Sequence, residues 1–160
     1  MTAIPALSVE NLSVEFRTRS GIVKVLEHVG FSVDKGETVA LVGESGSGKS
    51  VTAFAVMGIL DPAGKVTAGK AMFGGSDLLQ LSERELAELR GRELSMIFQN
   101  PRTALNPIRK VGRQIADVLV RHGGATSLDA PKLAVEMLKK VRIADPERRA
   151  EAYPFELSGG

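Results

Sequence analysis

The chain has 160 residues, 43% hydrophobic and 25% charged, the balance of one ordinary globular domain. Cysteine is absent, which excludes a disulfide scaffold, a cysteine zinc or iron–sulfur centre and a thiol nucleophile. The formal charge of +2 is spread evenly, with seven basic and eight acidic residues in 1–80 against fourteen and eleven in 81–160, and only 4% of residues are aromatic. That is neither the basic stripe nor the stacking surface of a nucleic-acid binder. The longest apolar run, about Val51 to Leu60, includes Thr52 and Gly58 and is far shorter than the roughly 18 residues of a membrane span. Met1 to Glu10 lacks the basic start and apolar middle of a secretory signal, so no address out of the cell is expected.

Leu12, Val14 and Phe16 alternate with polar residues, as do Val23, Val25, Val29, Phe31 and Val33. This period of two predicts half-buried antiparallel strands. The turn cluster Asp34-Lys35-Gly36-Glu37 leads into Thr38-Val39-Ala40-Leu41-Val42, the pattern of a parallel strand covered on both faces. A glycine-rich loop spans Gly43 to Gly48, and a buried helix is predicted from Lys49 to Leu60. Val66 to Phe73 reads as another strand, closed by Gly74-Gly75. Ser82 with Glu85 three residues on is a capping box that opens a helix through Leu86 and Leu89 to Gly91. Leu94 to Phe98 reads as a short strand. Beyond it Val111, Ile115, Val118 and Leu119, then Leu133, Met137, Leu138 and Val141, carry helical spacing.

Gly43-Glu44-Ser45-Gly46-Ser47-Gly48-Lys49-Ser50 matches G-x-x-x-x-G-K-[ST] without a gap. Glycines let successive backbone N–H groups turn inward on an anion. The Lys49 ammonium is expected on the β- and γ-phosphates of a nucleotide and the Ser50 hydroxyl on Mg²⁺. An apolar stretch precedes the loop and a helix-forming run follows it, the context such a loop needs.

Two further stretches carry a family resemblance. Ser95-Met96-Ile97-Phe98-Gln99-Asn100-Pro101, followed by Thr103-Ala104-Leu105-Asn106-Pro107, is similar to the glutamine loop of peptide importers. Tyr153-Pro154-Phe155-Glu156-Leu157-Ser158-Gly159-Gly160 resembles the approach to a family signature and its first four residues. With the phosphate loop, their order and spacing resemble the ATP-binding subunit of ABC transporters, in the group importing oligopeptides, dipeptides and nickel. Phe155 departs from that group's wording, which commonly has His there.

The resemblance implies an α/β fold: a P-loop NTPase of ABC type with an N-terminal antiparallel β-subdomain, a helical subdomain and the C-terminal part of the domain missing. Residues 1–99 would hold the antiparallel sheet and P-loop core, 100–156 the helical subdomain and 157–160 the start of the signature. ATP would be bound by Gly43, Glu44, Ser45, Gly46, Ser47, Gly48, Lys49, Ser50 and Val51. Phe16 would stack on adenine, and Ser158, Gly159 and Gly160 would bind the γ-phosphate held by an opposite subunit. Ser50 and Gln99 would hold Mg²⁺, with Lys49 and Gln99 as the catalytic side chains. The implied partners are a second ATP-binding subunit, two membrane permease subunits and, indirectly, a solute-binding protein. The implied location is peripheral, on the cytoplasmic face of the membrane.

Each of these residues also has a plainer reading. A strand Phe is most often core, a Gln after a strand a surface amide, and a terminal Ser-Gly-Gly a loose tail. His28 and His122 have no companion at ligand spacing, and Arg84, Arg90 and Arg92 read as a mixed helix surface. The family's apolar strand ending in Asp-Glu and its switch histidine do not follow in this chain. Unpaired strand edges are therefore expected, with ATP binding but no hydrolysis by these 160 residues alone. The alternative function is a soluble ABC-type ATPase acting on nucleic acid or the ribosome.

Overall fold

In a computed structural model, which describes residues 4–100 and 104–157, the first long element is the hairpin of β1 (Leu7–Thr18) and β2 (Gly21–Val33). Its two-residue turn is closed where Thr18 pairs with Gly21, and the Thr18 hydroxyl donates to the Gly21 carbonyl at 2.8 Å. β3 (Gly64–Phe73) lies antiparallel on the other side of β1, from Leu7 opposite Phe73 to Phe16 opposite Gly64. Gly74 and Gly75, both at positive φ, turn the chain into the short β4 (Ser76–Asp77), which gives the order β2-β1-β3-β4. Irregularities in the register keep Val9, Leu12 and Val14 of β1 on one face despite the odd spacing from 9 to 12, and all three are buried.

That face is covered by α1 (Lys49–Met57), which packs on β2, and by a single 3₁₀ turn (Leu78–Gln80) against β3. Leu26, Ala55, Val56, Ala71, Leu78 and Leu86 complete this core. α2 (Glu83–Leu89) starts at the predicted capping box: Ser82 Oγ accepts from Glu85 N–H and the Glu85 carboxylate accepts from Ser82 N–H. The Ser82 hydroxyl, which also donates to the Glu85 carboxylate at 2.6 Å, and then the Ser82 N–H hold the Glu85 carboxyl below its ordinary value.

The chain forms two compact units, residues 1–90 and 91–160. In the second, α3 (Val111–His122), α4 (Ala130–Lys140) and the short α5 (Pro146–Ala150) pack on one another. Their contact is built from small residues: Ala116, Ala130 and Ala134 are buried together, with Ile115, Leu119 and Ala125 around them. Gly112 lies so close to Ala150 that an added Cβ would sit 2.8 Å from the Ala150 carbonyl oxygen, so only glycine lets the backbones approach there. Among the described residues no helix is long and apolar enough to cross a membrane.

Two expected strands do not form. Residues 38–42 and 95–98 have no ladder pairing, and Leu94 makes only an isolated bridge. Val42 is 91% and Ile97 95% exposed. A stretch apolar on both faces suits a parallel sheet, where neighbouring strands satisfy its N–H and C=O groups and helices cover both faces. Among the described residues the four strands run antiparallel in the order β2-β1-β3-β4 and supply no such neighbour.

Candidate functional site

Between residue 42 and α1 the chain folds into a tight loop whose shape depends on its glycines. Gly46 has φ +84° and Gly48 φ +88°, the left-handed region that glycine enters without steric cost. Gly48 is also buried: a Cβ there would collide with Leu26 Cδ2 of β2 and lie 3.3 Å from the Val25 carbonyl. A Cβ on Gly43 would lie 2.6 Å from Ser47 Oγ. The hairpin thus supports the loop from below, and Ser47 N–H closes it by donating to the Glu44 carbonyl at 3.2 Å.

Lys49 folds back into this loop. Its ammonium donates to the carbonyls of Gly43 and Glu44, both at 2.7 Å, and to Ser47 Oγ at 3.2 Å. A cation is thereby held at the mouth of the loop, with its stem half-buried. The same geometry turns donors toward the mouth. The first helical hydrogen bond of α1 runs from Thr52 N–H to the Gly48 carbonyl at 2.8 Å, and the Thr52 hydroxyl reinforces it at 3.0 Å. Among the described residues the N–H groups of Gly48, Lys49, Ser50 and Val51 have no acceptor within the chain, as expected of the start of a helix. No acidic side chain stands in the first turn of α1 to neutralise them. The Lys49 ammonium, four amides and the positive end of the helix dipole form one donor set without a built-in anion. That chemistry fits a polyphosphate, and the exposed Ser50 hydroxyl beside it fits a hard divalent cation.

The other predicted residues stand elsewhere. Phe16 is half-buried near the turn end of β1, where the Cβ of a residue replacing Gly64 would touch its ring at 2.8 Å. The ring lines a surface depression of about 300 Å³ together with Ile22, Pro62 and Ala63, and no phosphate-loop residue contributes to that lining. Gln99 is exposed at a bend in the second unit. Ser158, Gly159 and Gly160, and Pro101 to Thr103, lie outside the described residues. The segment leading to the first three is anchored, since Val111 N–H donates to the Ala152 carbonyl at 2.9 Å and Tyr153 stacks on Phe155 at 5.6 Å.

Two polar side chains are missed by motif reading. Gln114 on α3 binds the preceding loop at both ends, donating to the carbonyls of Asn106 and Arg109 at 3.1 and 2.9 Å and accepting from Asn106 N–H at 2.9 Å. Arg90 is not the plain surface residue its sequence suggests, because its guanidinium donates to the last carbonyls of α1, at Met57 and Gly58. Neither has a local sequence signal, because each partner depends on how the chain folds back.

Comparison with known proteins bears on the same residues. The ABC transporter family profile matches residues 26–160. The chain is 48% identical over 155 residues to the oligopeptide transport ATP-binding protein OppD of Bacillus subtilis (strain 168), covering 96% of this chain and 43% of that protein. It is 44% identical over 154 residues to the dipeptide transport ATP-binding protein DppD of Escherichia coli (strain K12), covering 96% and 47%. It therefore spans less than half the length of these relatives. Among solved structures it superposes on an ATP-binding cassette, described as a dimer in a post-hydrolysis state bound to ADP and Pi, with a TM-score of 0.78. The identity there is 25%, over 96% of this chain and 63% of that one. With the loop geometry and the profile match in agreement, the chain belongs to the ABC transporter family.

Proposed function

We propose that this chain is the phosphate-binding portion of an ATP-binding subunit that couples ATP binding and hydrolysis to import of peptides or a similar solute. The observation that carries this reading is the Lys49 ammonium held by the carbonyls of Gly43 and Glu44 beside four unpaired amides at the start of α1. The names of the relatives, which are oligopeptide and dipeptide transport ATP-binding proteins, favour it over a soluble ATPase working on nucleic acid or the ribosome.

In this reading Lys49 exchanges its carbonyl partners for the β- and γ-phosphate oxygens, and the amides of Gly48 to Val51 bind the same anion. Mg²⁺ would supply charge neutralisation on the phosphates; the Ser50 hydroxyl would be a ligand to it, and the family resemblance gives the Gln99 amide oxygen the same role. Among the described residues no group of three or more His, Cys, Asp or Glu is gathered to hold a metal. The cation would thus depend on the phosphates for much of its coordination, as Mg²⁺ commonly does. Phe16 would present its ring face to the adenine. Ser158, Gly159 and Gly160 would bind the γ-phosphate held by a second ATP-binding subunit. Two permease subunits would dock beside Asn100 to Pro107, and the assembly would sit on the cytoplasmic face of the membrane.

Calorimetric titration of the folded chain with MgATP tests the site. Lys49→Ala removes a charge-assisted contact worth roughly 1.5–3 kcal/mol, so the affinity should fall about 10- to 150-fold. Equal affinities for parent and mutant overturn the reading.

A further inference from the structure

We propose that Arg90 is a positioning residue for the phosphate loop, acting from the opposite end of α1. This rests on the phosphate-binding reading above. The Arg90 side chain is 20% exposed and its guanidinium makes four hydrogen bonds. Nε donates to the Met57 carbonyl at 2.8 Å and Nη2 to the Gly58 carbonyl at 2.8 Å, while Nη1 and Nη2 donate to the Glu83 carboxylate at 2.6 and 3.3 Å. Met57 ends α1, and Gly58 closes it at φ +65° by donating to the Ala55 carbonyl. The arginine therefore binds carbonyls that a helix end leaves without partners, where the helix dipole also favours a cation.

The fit of Gly58 is an independent observation. A Cβ at that position would lie 2.8 Å from Arg90 Nη2 and 2.7 Å from Leu86 Cδ1. Glycine there both permits the left-handed turn and leaves room for the guanidinium. Glu83 and Arg90 bracket α2, so the contact ties the end of α1 to both ends of that helix.

Why this bears on phosphate follows from the length of α1. Nine residues at 1.5 Å each make a rod about 13 Å long, with Lys49 and Ser50 at one end and Arg90 at the other. With the loop end held, freeing the far end lets α1 pivot, and a tilt of about 5° moves the far end by about 1 Å and turns the axis along which the N-terminal amides are aligned through the same angle. Hydrogen bonds from four amides that converge on one anion depend on that shared orientation. The sheet fixes the loop end through Leu26 under Gly48, and Arg90 fixes the far end.

The test titrates the full chain with MgATP and follows its thermal unfolding for Arg90→Ala, Arg90→Lys, Glu83→Gln, Leu86→Ala and Lys49→Ala. Leu86 is buried beside Gly58 but makes no polar contact with α1, so Leu86→Ala is the control for lost stability alone. Arg90→Ala should weaken MgATP binding about 5- to 20-fold, beyond any change in Leu86→Ala at an equal fall in Tm. Arg90→Lys should recover only part of that loss, because one ammonium cannot serve two carbonyls and a carboxylate in fork geometry. Arg90→Lys and Glu83→Gln, which keep most of the packing, carry the test if Arg90→Ala does not fold. Affinity within twofold of the parent in the Arg90 variants, or a loss that merely tracks Tm as in Leu86→Ala, overturns the proposal. If those variants are silent while Lys49→Ala weakens binding, only the role of Arg90 falls. If Lys49→Ala is silent too, the phosphate-loop reading falls with it.

Discussion

The hairpin of β1 and β2 and the stretch 38–42 are both rich in β-branched and leucine side chains, yet only the hairpin is a sheet. In the hairpin Leu12 and Val14 are fully buried, whereas Val42 is 91% exposed. The difference lies in where the partners come from. An antiparallel strand finds its neighbour across a two-residue turn, so pairing and the buried face form together. A parallel strand needs a neighbour delivered by a crossover from elsewhere in the chain. The lesson extends to the candidate site. The phosphate loop rests on the hairpin through Leu26 and Gly48, so the region that pairs locally is the one that shapes the chemistry.

The comparison is broken most directly by truncating both regions. Leu12→Ala should cost about 2–5 kcal/mol, because a fully buried leucine leaves a cavity that the sheet cannot collapse to fill. Val42→Ser should change stability by no more than about 0.5 kcal/mol, as for other exposed positions. Chemical denaturation of both variants measures this, and a large cost for Val42→Ser would show that 38–42 is packed after all. A smaller effect sharpens the link between hairpin and loop. Gly48→Ala forces a Cβ onto Leu26 at a positive φ and should cost about 1–3 kcal/mol. The same variant should lose MgATP binding, and retained affinity would mean the loop does not depend on that seat.

Hydrogen exchange by NMR reads the contrast without mutation. Ladder amides of Val9 and Val14 should exchange only through opening of the sheet, and those of Val39 to Val42 should exchange near the unfolded rate. Comparable protection in the two stretches would contradict the pairing described here. The smallest effect concerns the second unit. Lys110 donates to Glu151 at 2.7 Å, which holds the Glu151 carboxyl below its ordinary value of 4.5 and raises Lys110 above 10.5. A depressed carboxylate contributes stability that is present above 4.5 and lost as pH falls through its lowered value, and the raised lysine loses its share only above 10.5. Both groups are exposed, so Glu151→Gln should alter the acid side of a Tm-against-pH profile by an amount near the limit of detection. A shift of many degrees would show that the pair is buried in solution.

Much of this molecule could be read before it was seen folded. The strands over residues 12–16 and 23–33, the Ser82–Glu85 box and the unbroken loop Gly43 to Ser50 each depend on neighbours within a few residues and appear where expected, although β2 buries Leu26 and leaves Val23 46% exposed, out of phase with the alternation. Local chemistry sufficed because local partners satisfy it. Tertiary structure decided the rest. Whether 38–42 and 94–98 become strands depends on distant neighbours that no periodicity reveals. That Arg90 binds the end of α1, rather than lying on a charged surface, depends on the path that returns residue 90 to residue 57. A hydrogen bond across 33 positions leaves no trace in spacing, because the chain between its ends is free to take many courses until the core selects one.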